Sequence, residues 1–87
     1  MAIRDANSDP ALTAADFDSG TVASGTTIIQ NLGASPVVVG QGASKPTDLM
    51  GGTVLTGEAS VTVEDGKTYY LRAASSLPAR VSITSGG

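Results

Sequence analysis

Ala59-Ser60-Val61-Thr62-Val63-Glu64-Asp65-Gly66-Lys67-Thr68-Tyr69-Tyr70-Leu71-Arg72-Ala73 is the stretch whose reading decides the fold class. Ala59, Val61 and Val63 alternate with Ser60, Thr62 and Glu64, the period-two pattern of a strand with one buried face. Asp65-Gly66 supplies a tight turn that tolerates positive φ. Tyr69, Leu71 and Ala73 then share one face of the returning segment. Residues 59–73 are therefore expected to form a β-hairpin. Tyr69 should point inward beside Leu71, leaving Tyr70 exposed, where it either covers the sheet surface or touches a partner.

The same grammar extends in both directions. Thr26-Thr27-Ile28-Ile29-Gln30-Asn31-Leu32 is rich in β-branched residues and stops at the turn cluster Gly33-Ala34-Ser35-Pro36. Val37-Val38-Val39 follows, then a glycine-rich loop over 40–52, then the short strand Thr53-Val54-Leu55-Thr56 with a turn at Gly57-Glu58. Toward the C-terminus, Val81 and Ile83 face inward against Arg80, Ser82 and Thr84. Six or seven short strands at this spacing predict an all-β fold over residues 26–85, two packed antiparallel sheets or a small barrel, with a small antiparallel β-sandwich of jelly-roll type preferred. Spacing alone leaves the strand order open.

Residues 1–25 read as an irregular N-terminal arm. Asp9 and Pro10 offer the cap and first position of a short helical turn, with Leu12, Ala15 and Phe17 facing inward, but the pattern ends at Ser19-Gly20. An extended arm lying on a neighbour explains the same residues. The first 20 residues hold one Arg against four Asp, whereas the remainder is balanced, so the net charge of −3 resides in the leader. That leader either serves as solvation or docks. Asp16, Phe17 and Asp18, with Tyr70, are the candidate partner-contacting residues.

Composition narrows the function. The larger apolar residues are mainly eight Val, and such a core roughly balances the chain entropy of a small domain. Small domains escape that balance through disulfides, metals or association. With no Cys and no His, association is the expected remedy, and a homo-oligomer is expected. No clustered excess of Lys and Arg argues for nucleic-acid binding. No segment approaches the ~20 apolar residues of a membrane helix, and the polar start lacks the apolar run of a signal peptide. A cytoplasmic place of synthesis is expected, with departure only inside a particle.

The chain offers none of the familiar catalytic arrangements. None of the ten serines has a His to activate it. Ser44 and Lys45 are adjacent, so on a strand they would point to opposite faces. Asp16-Phe17-Asp18-Ser19-Gly20 departs from a calcium loop, because its Gly arrives one residue early and Thr27 occupies the twelfth position. Gly40-Gln41-Gly42-Ala43-Ser44-Lys45 lacks the phosphate-loop spacing. Glu58 and Glu64 would lie about 20 Å apart along an extended chain, too far for paired glycosidase carboxylates. No catalytic, cofactor or metal residue is assigned, and the chain is expected not to be an enzyme.

Residues 26–84 resemble small structural proteins of tailed-bacteriophage particles, of the capsid-decoration and head-fibre kind. The resemblance rests on Ile29-Gln30-Asn31-Leu32-Gly33, Pro36-Val37-Val38-Val39-Gly40, Thr56-Gly57-Glu58-Ala59-Ser60-Val61 and Tyr69-Tyr70-Leu71-Arg72-Ala73. It implies a virion location and a cement role on the outer face of an icosahedral shell. The implied partners are the major capsid protein or other virion subunits, with trimers favoured. A head-fibre, collar or tail subunit, or a carbohydrate-binding adhesive module, is the alternative expectation.

Overall fold

The computed structural model describes residues 2–5, 12–18, 20–48, 51–74 and 79–85. Eight strands run in chain order: β1 (Ala2–Arg4), β2 (Thr21–Val22), β3 (Thr27–Asn31), β4 (Val37–Gln41), β5 (Thr53–Leu55), β6 (Ser60–Val63), β7 (Thr68–Ala73) and β8 (Val81–Ser85). They form two antiparallel four-stranded sheets, β1-β8-β3-β6 (sheet A) and β2-β7-β4-β5 (sheet B). The fold is the expected all-β sandwich, with eight strands rather than six or seven.

The pairing is nested. β4 meets β5, β3 meets β6, β2 meets β7 and β1 meets β8, as though one long hairpin had its tip at the β4–β5 loop. Rolling that ribbon brings β3 against β8 and β4 against β7, which completes both sheets. This winding is the eight-stranded jelly roll. It alternates the chain between sheets at every connection except β4–β5.

The alternation overturns the expected hairpin over 59–73. Both of its strands exist, but β6 pairs with β3 in sheet A, whereas β7 pairs with β2 and β4 in sheet B. The turn explains why. A two-residue hairpin loop needs positive φ at its first central residue, which matches the strand twist. Here Lys67 N donates to Glu64 O, and only the second central residue, Gly66, has positive φ (82°). That sign pattern belongs to a type II turn, which splays the flanking strands, and Asp65-Gly66 makes a corner between sheets.

The N-terminal segment contributes to both sheets. β1 and β2 are an edge strand of each sheet, and Leu12, Phe17 and Ala23 are buried. Nested pairing requires this, because without β1 and β2 the inner strands β8 and β7 would each lose a neighbour. The helix start at Asp9-Pro10 lies outside the described residues, and 12–18 contain no helix.

Between the sheets, Ile29, Val37, Val39, Leu55, Val63, Tyr69, Leu71, Val81 and Ile83 form the main core, joined by Leu12, Ala23, Ala73 and Ala79. At roughly 1.5–3 kcal/mol for each fully buried large aliphatic side chain, this layer supplies the main drive to fold. Asn31 is fully buried within it. Its Nδ2 donates to Ser35 O and Leu55 O, and its Oδ1 accepts from Gly33 N, so one amide fastens the β3–β4 turn to β5.

Candidate interaction surfaces

The two outer faces of the sandwich differ. On sheet B, Val38 lies between the core residues Val37 and Val39, and Tyr70 lies between Tyr69 and Leu71, so both project outward. Neither reaches solvent. Phe17 packs on Val38 and Tyr70 in a second, separate apolar cluster, with Ala74 against it. Residues 12–18 form a strap that makes this possible. Ala73 N donates to Thr13 O and Asp18 N donates to Leu71 O, which pins both ends of the strap to the edge of β7. The four residues between bulge out and lay Phe17 over the sheet.

The strap is fastened by its charged residues. Asp18 Oδ1 accepts from Gly20 N and Leu71 N, and its Oδ2 accepts from Arg4 Nη2 at 3.0 Å, tying the end of β1 to the edge of sheet B. Both side chains of this pair are largely buried. Arg72, also buried, donates from Nη1 to Ala14 O and Ala73 O, and its guanidinium carbon stands 5.7 Å from the Phe17 ring centre, in cation–π range. Asp16 meets Lys45 at 3.3 Å, but both are exposed, and such a pair contributes little. Close approach completes the seal: Gly20 has φ +91°, and a Cβ there would come within 2.5 Å of the Tyr70 ring.

The expectation that Tyr70 stands in solvent is therefore overturned, since it is 6% exposed, and Phe17 is 3% exposed. Phe17, Asp18 and Tyr70 do gather in one place, with Asp16 at its margin. What they contact is the chain itself. Tyr69 faces the main core as expected, and burial pushes its phenol above the ordinary tyrosine value, against the opposing pull of a Thr21 side-chain hydrogen bond and of Arg4.

No family model matches this chain, and no curated protein or solved structure matches it either. The remaining surfaces must be read from their own chemistry. Among the described residues, the outer face of sheet A is open along one of its two central rows. Thr84, Ile28 and Thr62 form one cross-strand row, and Ile3, Ser82, Gln30 and Ser60 form the next. Ile28, Ser60, Thr62 and Thr84 are exposed, Ile3 and Gln30 are half-buried and Ser82 is buried. None of the seven side chains is charged. At the far end of the sandwich, a half-open cleft of about 270 Å³ is lined by Gly42, Ala43, Gly66, Lys67 and Thr68. Among the described residues no three acidic side chains gather as a metal site would require.

Sequence reasoning missed the strap because its fastenings are long-range. Asp18 and Leu71, or Ala14 and Arg72, are more than 50 positions apart. The one local signal was an aromatic in a polar leader.

Proposed function

We propose that this chain is a structural subunit of a tailed-phage particle, a decoration protein that docks on the outer surface of the capsid and stabilises the shell. The observation that carries this reading is the open, uncharged row of Thr84, Ile28 and Thr62 on sheet A, opposite a sheet B whose inner strands are covered by the strap. A domain that closes its own core and covers one face with its own chain leaves one flat hydroxyl-rich surface for a neighbour. Such a surface suits lateral packing on another protein. Ile28, 45% exposed at the centre of a row of threonines, supplies its apolar anchor.

The mechanism is added contact across a joint between shell subunits, which raises the work needed to open that joint. A carbohydrate-binding role is less well supported. All three aromatics, Phe17, Tyr69 and Tyr70, are buried, so none offers a stacking platform for a sugar ring. Co-sedimentation with empty capsids tests the proposal. The native chain should pellet with shells at micromolar concentration, and Ile28→Lys should remain in the supernatant while staying folded. Failure of the native chain to pellet would remove the decoration role.

A further inference from the structure

We infer that sheet B extends from copy to copy, with the β5 edge of one chain pairing with the β2 edge of a second copy. The four edge strands are not equivalent. Those of sheet A have charges beside them: Asp5 directly follows β1, and β6 is bracketed by Glu58 and Glu64. Charged side chains on an edge resist pairing with another chain. The edges of sheet B carry none. Residues 20–25 around β2 and 51–57 around β5 are uncharged, and each strand exposes a valine, Val22 at 63% and Val54 at 40%.

Strand polarity and facing agree with this pairing. Each neighbour in the order β2-β7-β4-β5 is antiparallel, so β2 and β5 run in opposite directions. A second copy in the same orientation therefore sets its β2 antiparallel to β5, and the alternation continues unbroken across the junction. Val22 is paired with Thr68 and Val54 with Val38. Thr68 and Val38 both neighbour core residues in sequence, so both valines lie on the outer face of sheet B. Across the junction they meet as a cross-strand pair, the unit that stabilises antiparallel sheets. The contact is heterologous, closing into a ring where the rotation per copy permits. With only two or three residues per strand it falls well below the roughly 800 Å² per partner of a stable interface, so it acts where many copies are held together.

The chain has no cysteine, which makes cross-linking a clean test. Val22→Cys and Val54→Cys are prepared as separate single variants, one isotopically heavy, then mixed and mildly oxidised. Neighbouring antiparallel strands hold opposed residues close enough for a disulfide. The mixed adduct should exceed both homodimers. Dominance of either homodimer would replace the junction with a two-fold one and overturn the inference. So would a mixed adduct no more abundant than that between Val22→Cys and Thr62→Cys on the open face of sheet A. As a second arm, the native chain should gain mass with rising concentration in sedimentation, and Val54→Lys should abolish that gain with an unchanged circular dichroism spectrum. Self-association that survives Val54→Lys would also overturn it. The inference does not rest on shell binding: a chain that pairs in this way but fails to pellet with capsids refutes only the decoration role.

Discussion

The outer face of sheet B and the outer face of sheet A are built from the same period-two strands, yet one is interior and the other is surface. On the inner strands of sheet B the outward residues Val38, Tyr70 and Arg72 are buried under Phe17 and the strap, while Val22 and Val54 at its edges stay exposed. On sheet A the outward residues are Ile28, Thr62, Thr84 and their polar neighbours, and nothing described covers Ile28. The difference teaches that outward apolar residues on a small sandwich need not mark a partner. The chain uses its own N-terminal segment as a third layer over sheet B, and the thin Val-rich core thereby gains an additional buried aromatic cluster.

The largest way to break this comparison is Phe17→Ala. It removes the ring that closes the second cluster and should cost about 3–5 kcal/mol in chemical denaturation. Ile28→Ala, an aliphatic truncation on the open face, should cost well under that, below about 1 kcal/mol. Equal losses at the two positions would show that the faces are not distinct. Next comes Asp18→Ala, which breaks the buried Arg4 ion pair and leaves the amides of Gly20 and Leu71 without their carboxylate. A loss of about 3 kcal/mol is expected. Asp18→Asn should recover part of it, because its amide oxygen can still accept the two backbone bonds.

A smaller effect comes from Tyr69, on the inner side of the same strand. Its phenol is held above 10.0 by burial, so the folded state retains its proton where the unfolded chain has lost it. The associated stability is fully present below about pH 10 and is lost as pH rises through the higher folded value. Tyr69→Phe should flatten that alkaline decline in urea titrations at successive pH values. It should also cost roughly 1 kcal/mol at neutral pH for the lost Thr21 bond. The smallest change is expected for Thr62→Ser on the open face, within about 0.5 kcal/mol of native. A larger shift there would mean that the face is already packed against something in solution.

Much of the architecture was legible in the chain. Alternation at Ser60–Val63 and Thr68–Ala73, the Val37–Val39 run and the turn residues between them locate strands by purely local means, because side-chain direction follows from position along a strand. Tyr69, Leu71 and Ala73 could be assigned to the core for the same reason. The Asp65-Gly66 turn was legible as a turn but not as a corner. The dipeptide tolerates several turn types, and the choice depends on which neighbour each strand finds. β1 and β2 were not legible, since three- and two-residue strands carry no periodicity and owe their existence to β8 and β7.

The candidate surfaces divide in the same way. Phe17 stood out as an aromatic in a polar leader and Tyr70 as the outward member of a pair, each marked as lacking a partner within its own segment. Only the tertiary structure made them partners of each other. Local sequence determined which residues form strands, which side chains share a face and that the core would be thin and Val-rich. The tertiary structure decided strand pairing, the crossing between sheets and the sealing of one face. Those outcomes depend on contacts such as Asp18 with Leu71 and Arg72 with Ala14, whose energies exist only once distant segments have met.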